Sequence, residues 1–295
     1  MRLGIDLGGT KTEILALAEN RTEFWRRRVP SARDYDGTVR TIAELVRAAE
    51  SATGRTGSLG VAIPGCETAS GTIKNANSTW LNGRPLRRDL ESALAREIRL
   101  ANDANCFALS EAGDGAAAGG RVVFGVIAGT GVGGGIVADG KVLAGAHGIG
   151  GEWGHIPLPA PSAAEVADAP LCYCGKRGCL ESWCSGPALA ADFRRATGRA
   201  AAAEEIAASA GTEERAAMDR FVDRFARGLA VVTNILDPDV IVLGGGLSNI
   251  ARLYDDLPPL VERYGFTLGA PPRIVKNRHG DSSGVRGAAW LWPET

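Results

Sequence analysis

"RLGIDLGGTKTEILAL" at residues 2–17 joins two short apolar runs through the turn Gly8-Gly9-Thr10. Each run has the length and apolar content of a buried strand, and the segment between the runs has no room for a helix. A dinucleotide-binding glycine loop leads from a strand into a helix, and the phosphate-binding signature GxxxxGK[ST] does not occur in this chain. The stretch therefore predicts a β-hairpin whose glycine turn handles phosphate.

The opening pattern returns in the second half of the chain. "RVVFGVIAGTGVGGGIVADGKVLAG" at residues 121–145 reads as a strand, a Gly/Thr turn, a strand, another turn and a third strand. "EFWRRRVP" at residues 23–30 likewise follows the first hairpin as a third strand. Two unrelated glycine turns are the alternative interpretation, but the shared pattern predicts two related domains that face each other across a cleft.

The composition is that of an ordinary globular protein. Of 295 residues, 45% are hydrophobic and 23% are charged, and the net charge is −1, so neither nucleic acid nor a membrane is expected as a partner. The chain has no run of about 18 apolar residues, and its N-terminus lacks the apolar core and cleavage site of a signal peptide. We therefore expect a cytoplasmic protein, in which disulfides are rare.

Segments with helical periodicity alternate with apolar runs in the rest of the chain. Helices are expected directly after Asn102 and Asp103, and at residues 36–52, 86–97, 187–196, 202–210 and 213–235. The Pro/Ala-rich segment 157–170 is expected to be an exposed loop. "DVIVLGGG" at residues 239–246 is expected to be a buried strand that ends in three glycines, and residues 281–292 are expected to form a final helix.

Six motifs occur in an order that resembles the ROK family of sugar kinases and regulators. They are Asp6-x-Gly8-Gly9-Thr10-Lys11, Asn102-Asp103, "GTGVGGG" at 129–135, "GGEWGH" at 150–155, "CYCGKRGCLE" at 172–181 and "DVIVLGGG" at 239–246. The resemblance spans nearly the whole chain and implies the α/β, two-lobed actin/hexokinase-like ATPase fold, with duplicated RNase H-like domains around a central cleft. It implies an N-terminal lobe of residues 1–113 plus 280–295 and a C-terminal lobe of residues 114–279 with a zinc knuckle.

The glycine turns are the candidates for binding ATP, because glycine has no Cβ to keep backbone N–H groups away from phosphate. The candidate contacts are Gly8, Gly9 and Thr10 from one domain and Thr130, Gly131 and Gly133 from the other, although either turn alone could be a simple tight turn. Asp6 ends the first strand, where it can orient water on Mg²⁺, and Lys11 either contacts phosphate or is solvated. By resemblance, Gly244, Gly245 and Gly246 line the adenosine pocket; a close strand–helix crossing is the alternative.

Asp103 is the candidate general base. A carboxylate at a strand-to-helix junction can accept the proton of a sugar hydroxyl as the bond to phosphorus forms. Considered alone, Asn-Asp before a helix is most often an N-cap, and only the family pattern favours the catalytic role. The candidate sugar contacts are Asn102, Glu152, His155 and Glu181 by their chemistry, Asn77 by its match to the family (with Asn75 as an alternative), and Gly65 in the "IPG" turn.

Three cysteines in "CYCGKRGC" at residues 172–179 could form disulfides, a redox pair or a metal site. The spacing is too tight for an easy set of disulfides and lacks the CxxC pattern of a redox site, whereas the two intervening glycines let the chain curl around a tetrahedral ion. Thiolates favour zinc, which needs a fourth ligand. The resemblance implies a closed, structural zinc site with the ligands His155, Cys172, Cys174 and Cys179.

The resemblance implies an ATP- and Mg²⁺-dependent sugar 6-kinase. "KNANSTWLNG" at 74–83 and "HGDSSGVRGAAWLWP" at 279–293 resemble the bacterial fructokinase (manno-fructokinase) branch, so fructose is the expected hexose, with N-acetylglucosamine, glucose and mannose as rivals. Regulators of the family carry a winged-helix domain ahead of the first hairpin, which here begins at residue 4, so a sugar-sensing regulator is not expected. Family members are often dimers, and the sequence leaves the oligomeric state open.

Overall fold

The computed structural model describes residues 1–267 and 269–292, and its strands form two five-stranded sheets and one small hairpin. The strands are β1 (Arg2–Leu7), β2 (Lys11–Leu17), β3 (Glu23–Pro30), β4 (Ser58–Ile63), β5 (Cys66–Glu67), β6 (Ile73–Lys74), β7 (Ile98–Asn102), β8 (Val122–Ala128), β9 (Val132–Ala138), β10 (Lys141–Val142), β11 (Val240–Gly244) and β12 (Arg273–Lys276). The first sheet has the order β3-β2-β1-β4-β7, the second has the order β10-β9-β8-β11-β12, and β5 pairs with β6. Residues 293–295, which the sequence assigned to the first lobe, lie outside the described residues.

The two sheets repeat one topology. In each, three strands form an antiparallel meander, and two more strands add in parallel beside the first strand of that meander. Apolar cross-strand pairs such as Ile5 opposite Ile14 are fully buried, as the two short apolar runs predicted. The repeat confirms the α/β fold with two related halves and places each glycine turn between the first two strands of its sheet.

Ten α-helices in the described residues cover the sheets. They are α1 (Tyr35–Thr53), α2 (Leu86–Leu94), α3 (Asp103–Gly113), α4 (Ala163–Ala167), α5 (Glu181–Cys184), α6 (Gly186–Thr197), α7 (Ala203–Ala208), α8 (Thr212–Leu236), α9 (Arg252–Tyr264) and α10 (Ser283–Ala289). Helices α1 and α2 bury apolar faces on the first sheet, and α6 to α9 bury theirs on the second sheet. No helix in the described part of the chain is both long and apolar enough to cross a bilayer.

Helices α3 and α10 cross each other between the two sheets. Phe107 and Ala108 of α3 are buried with residues of β8 and β9, whereas Val285 of α10 is buried against β2. At the crossing, a Cβ on Gly287 would lie 1.7 Å from the carbonyl oxygen of Cys106, so only glycine allows this approach. The chain therefore leaves the first sheet to form α3, which packs on the second sheet. It later leaves the second sheet to form α10, which packs on the first.

This packing bears on the lobe boundaries. Residues 1–113 were expected to belong to the first lobe, but α3 packs on the second sheet. The final helix, α10, packs on the first sheet as expected. We propose that the boundary lies between Asn102 and Asp103, so that the start of α3 forms part of the hinge.

The Pro/Ala-rich segment 157–170 is mostly exposed, as expected, but it is not entirely a loop. It contains α4, whose Glu165 accepts hydrogen bonds from Arg224 at 2.7 Å and from Arg227 at 2.8 Å, both buried on α8. Burial alone would raise the pKa of Glu165, but the hydrogen bonds from the two arginines lower it to about 2. The ion pairs hold this segment, which links His155 to Cys172, against the second lobe.

Candidate active site

The first glycine turn (Gly8–Thr10) joins β1 to β2 and is fixed by backbone contacts. The N–H of Gly8 donates to the carbonyl oxygen of Lys11 at 3.0 Å. Ser31, just after β3, donates its hydroxyl to the carbonyl oxygen of Gly8 at 2.6 Å and its backbone N–H to that of Thr10 at 3.0 Å. A Cβ built on Gly9 would meet nothing nearer than Ser78 Oγ at 3.8 Å, so this face of the turn is open to a ligand. The side chains of Thr10 and Lys11 are exposed beside it.

The second glycine turn (Gly129–Gly131) joins β8 to β9, and the side chains of Glu181 and Trp153 hold the strand that leaves it. The carboxylate of Glu181 accepts from the N–H of Val132 at 2.9 Å, and a Cβ on Gly131 would lie 2.6 Å from the same oxygen. The indole of Trp153 donates to the carbonyl oxygen of Gly133 at 3.0 Å. Thr130 at the tip is exposed. Glu181, a candidate sugar contact, thus also helps to position the candidate phosphate contacts of this lobe.

Asp103 stands at the junction of the two lobes. It follows β7 of the first sheet and begins α3, which packs on the second sheet. A Cβ on Gly133 would lie 3.7 Å from the Cβ of Ala104, so the start of α3 lies against the strand that leaves the second glycine turn. Water reaches Asp103 through the cleft, but the surrounding protein removes much of its solvation, and this burial raises its pKa. The nearby carboxylate of Glu152 raises it further, against the N–H of Ala104, which lowers it.

Asp6, the last residue but one of β1, lies near enough to Asp103 for their charges to interact. Burial raises the pKa of Asp6 to about 7, and the charges of Asp103 and Glu13 add to the effect. Glu13, directly opposite Asp6 in the sheet, is itself paired with Arg26 and Arg28 at 2.7 Å. A half-buried carboxyl group with a raised pKa beside an open glycine turn suits a site that receives a cation such as Mg²⁺, which binds through one or two carboxylates and substrate phosphates.

Asn102 caps helix α3, which is the alternative role that the sequence suggested for the Asn102-Asp103 pair. Its side-chain oxygen caps α3 by accepting from the N–H of Ala104 at 2.9 Å, and its amide group donates to the carbonyl oxygen of Gly65 at 3.0 Å. Gly65 has a φ of 72°, and a Cβ there would lie 2.3 Å from the carbonyl oxygen of Lys74. Asn102 and Gly65 therefore lie together beside Asp103. Asn102 holds the start of α3 and the Gly65 turn by hydrogen bonds, and Gly65 lets the backbone pass close to Lys74.

The other candidate sugar residues approach from both lobes. Asn77 is exposed in the loop before Ser78, next to the first glycine turn, and the amide of Asn82 holds this loop by two 2.9 Å bonds to Ala76. From the second lobe, the carbonyl oxygen of His147 lies 4.0 Å from Sγ of Cys66, next to Gly65. The loop that leads to Glu152 thus reaches across the cleft.

The three glycines after β11 have different surroundings. Gly244 is buried, and a Cβ there would lie 2.4 Å from the ring of Phe107, so a strand–helix crossing accounts for this glycine. Gly245 and Gly246 are exposed, and a Cβ on Gly246 would have nothing within 4 Å. At Gly245, where φ is 79°, a Cβ would lie 2.4 Å from the carbonyl oxygen of Ala128, so a close backbone crossing accounts for this glycine. Gly246 therefore has the most open backbone of the three, and the role of these glycines in nucleotide binding stays a prediction.

The four predicted zinc ligands lie together. One ligand atom from each of His155, Cys172, Cys174 and Cys179 falls within 4.8 Å of all the others. Sγ of Cys174 is 3.5 Å from Sγ of Cys179, and Nδ1 of His155 is 3.6 Å from Sγ of Cys172. Tetrahedral Zn–S bonds of about 2.3 Å separate two sulfurs by about 3.8 Å, whereas a disulfide needs about 2.0 Å, so the donor set fits zinc.

The cluster joins two segments that carry candidate sugar residues. Leu158 donates its N–H to the carbonyl oxygen of Gly178, and Leu180 donates its N–H to that of Ile156, at 2.9 and 2.8 Å. His155 precedes the first of these segments, and Glu181 follows the second. The group of four candidate ligands and this short β-bridge together link the segments that carry Glu152, His155 and Glu181.

Several residues that build the site were not predicted from the sequence. Ser31, Asn82 and Trp153 act by hydrogen-bonding backbone groups of the loops, and Tyr173 contacts His155. The first three have partners that are remote or are backbone atoms, which no local pattern reports. Tyr173 alone carried a signal, because it stands between two predicted metal ligands.

Known proteins resemble this chain over its whole length. The model of the "ROK family" matches residues 2–295. An N-acetyl-D-glucosamine kinase of Escherichia coli is 42% identical over 299 residues, covering 99% of both chains. A ROK hexokinase from Thermus thermophilus superposes with a TM-score of 0.87 at 32% identity, covering 98% of this chain and 97% of that one. A ROK family glucokinase from Streptomyces griseus, in complex with glucose and AMPPNP, superposes with a TM-score of 0.76 at 25% identity, covering 100% and 99%. The chain therefore belongs to the ROK family of sugar kinases, with the actin/hexokinase-like ATPase fold that its motifs predicted.

Proposed function

We propose that the protein transfers the terminal phosphoryl group of ATP to the 6-hydroxyl of a hexose. The observation that carries this proposal is the position of Asp103 between β7 of the first sheet and α3, which packs on the second, near enough to Asp6 and Glu152 for their charges to interact. Phosphoryl transfer needs a held triphosphate, a cation and a group that accepts the hydroxyl's proton. Asp103 is the proposed proton acceptor.

The nucleotide is proposed to lie between the glycine turns. Its phosphates would receive N–H groups of Gly9, Thr10, Thr130, Gly131 and Gly133 and the ammonium of Lys11, and its base would meet Gly245 and Gly246. The N–H of Gly8 is bonded to the carbonyl oxygen of Lys11, so Gly8 would shape the turn and not donate to phosphate. Asp6 would hold Mg²⁺ through water, and the ion when bound offsets the charge of the phosphates. The open faces of Gly9 and Gly246 support this arrangement, because backbone that nothing covers can approach a ligand.

Ser31→Ala is expected to raise the KM for ATP about tenfold with a smaller effect on kcat. The hydroxyl of Ser31 fixes the carbonyl oxygen of Gly8. Loss of one such hydrogen bond costs about 1–2 kcal/mol of free energy that favours the ordered turn. Steady-state kinetics with varied ATP measure the effect, and the exposed Ser51→Ala is the matched control. An unchanged KM for ATP would show that the first glycine turn needs no such anchor.

The sugar is proposed to bind between Asn77, Gly65 and Asn102 on one side and Glu152, His155 and Glu181 on the other. The carboxylates can accept hydrogen bonds from sugar hydroxyls, and the amides can both donate and accept. We propose that His155, Cys172, Cys174 and Cys179 hold a structural zinc ion that fixes the second group of contacts. The 4.8 Å grouping of their ligand atoms supports this.

We propose N-acetylglucosamine as the hexose, on the strength of the Escherichia coli relative that bears this substrate's name. The sequence had favoured fructose, and that relative gives fructose no support. One of the two stretches behind the fructose expectation, residues 279–293, includes α10, which packs on the first sheet. Part of this stretch therefore serves helix packing.

A panel of hexoses tests the proposed function. ADP release with MgATP is measured for N-acetylglucosamine, glucose, mannose and fructose, and the highest kcat/KM is expected with N-acetylglucosamine. A preference for fructose would overturn the proposed substrate and leave the kinase standing. No ADP release with any sugar would overturn the proposed kinase activity.

The pH profile should report Asp103, because a base must be ionised to accept a proton. Its raised pKa places the acid limb of kcat/KM, at saturating MgATP, above the pH expected for an ordinary aspartate with pKa 3.8. Glu152→Gln removes a negative charge that raises this pKa, so the limb is expected to move to lower pH. The level of kcat/KM will also fall, since Glu152 is a proposed sugar contact, but the readout is the position of the limb. A limb that stays in place or moves to higher pH would contradict the assignment.

A further inference from the structure

His155 makes a contact that neither the metal site nor the sugar proposal explains. Its Nδ1 lies 3.6 Å from Sγ of Cys172, on the side of the metal cluster, while its Nε2 lies 2.9 Å from the hydroxyl oxygen of Tyr173. The two rings meet edge to face with their centroids 5.1 Å apart. Tyr173 is 82% exposed, so its contact with His155, and not enclosure by the core, orients the phenol ring.

The chemistry of a metal-binding imidazole gives this hydrogen bond a direction. If Nδ1 of His155 binds the metal, the ring proton stays on Nε2, which then donates. Metal-binding histidines usually donate this proton to an outer oxygen, and removal of that acceptor typically costs about 10–100-fold in metal affinity. The hydroxyl oxygen of Tyr173 is placed to be the acceptor.

The same N–H is the group that His155 would offer to a sugar. With Nδ1 directed at the cluster, Nε2 is the only ring nitrogen left for a sugar hydroxyl. The hydroxyl of Tyr173 and a sugar hydroxyl would therefore compete for one proton. Because the phenol is exposed, it can rotate into solvent without leaving a cavity.

We propose that Tyr173 is the partner of His155 while the sugar site is empty, and that the sugar displaces it. The second half of this statement rests on the proposed function, because it takes His155 as a sugar contact. Tyr173 then has two opposite effects: it helps retain the metal in the empty site, and it lowers sugar affinity by occupying Nε2. Metal retention and sugar binding become coupled through His155, and the coupling is reciprocal.

Tyr173→Phe tests both effects, since it removes the hydroxyl and keeps the ring. Without sugar, zinc release from the intact protein to excess EDTA is expected to be about tenfold faster than from the wild type. The Kd for N-acetylglucosamine by calorimetry is expected to fall about threefold to tenfold. Saturating N-acetylglucosamine should slow zinc release more in the variant than in the wild type, because only the sugar then supplies an acceptor.

Leu171→Ala is the control, because Leu171 is another exposed side chain of the same loop. It is expected to match the wild type in zinc release, Kd and kcat. Wild-type zinc release from sugar-free Tyr173→Phe would overturn the role as partner of His155, and an unchanged or raised Kd would overturn the displacement. The sugar-free arm does not depend on the kinase proposal. A wild-type protein that binds no hexose would overturn the displacement together with the proposed function, and the zinc arm alone would then decide the role of Tyr173.

Discussion

Asp103→Asn is expected to lower kcat by about 100- to 10,000-fold, the usual contribution of a positioned general base. Asparagine has the same shape and keeps an oxygen that can accept from the N–H of Ala104, as Asp103 does at 2.8 Å. It cannot take the proton of the sugar hydroxyl. The loss should therefore appear in kcat, while the fold and the binding of ATP remain.

The matched control is Asp139→Asn, in the exposed turn after β9, where the same chemical change is expected to leave kcat unaltered. Thermal unfolding and the affinity for a non-hydrolysable ATP analogue should be close to wild type for both variants. A kcat for Asp103→Asn within tenfold of wild type would remove Asp103 from the chemistry and leave it as a helix-terminal residue.

Cys179→Ser is expected to remove the zinc ion and to lower kcat/KM for the sugar by at least about 100-fold. Cys179 is buried at the centre of the cluster, and a serine hydroxyl does not ionise to replace a thiolate ligand. Without the ion, the segment ending at His155 and the segment leading to Glu181 lose their fixed spacing. Because Glu181 also holds Val132 beside the second glycine turn, the KM for ATP should rise as well.

Cys184→Ala is the matched control for the zinc prediction. Cys184 is fully buried in the same lobe but lies outside the metal-ligand group. Metal analysis is expected to give about one zinc per chain for the wild type and the control and close to none for Cys179→Ser. A Cys179→Ser protein that keeps both its zinc and its sugar kinetics would contradict the proposed role of the cluster.

The two hairpins could be predicted because their signals are local. Short apolar runs and a glycine turn lie within about 17 residues in each half, and β1–β2 and β8–β9 form as expected. The crossing of α3 and α10 could not be predicted in the same way. The apolar pattern predicts which face of a helix is buried, but not which sheet it packs on, because that depends on residues distant in sequence. Nothing in the sequence around Gly287 indicates that it approaches Cys106.

The segment 157–170 shows how composition can hide structure. Its prolines and alanines are typical of a loop, yet the pair Ser162 and Glu165 forms a reciprocal capping box that begins α4. The arginines that anchor Glu165 are about 60 residues away in sequence. A local signal for the helix was therefore present, but no signal indicated its attachment to α8.

For the candidate site, the motifs predicted residues that the fold brings together, but not the residues that hold them. Asp6, Asp103 and Glu152 come from distant stretches and lie close enough for their charges to interact. Ser31 fixes the first glycine turn through a hydrogen bond to Gly8, and Tyr173 contacts His155 through another. Such hydrogen bonds depend on the three-dimensional path of the chain, and a single residue in a loop does not indicate its partner in the sequence.

The most direct test is a crystal structure of the protein with N-acetylglucosamine and a magnesium–ATP analogue bound together. We expect the 6-hydroxyl of the sugar within about 2.6–3.2 Å of the Asp103 carboxylate and in line with the terminal phosphate, which lies between the two glycine turns. A complex in which the 6-hydroxyl points away from Asp103, or in which the triphosphate contacts neither turn, would contradict the proposed chemistry.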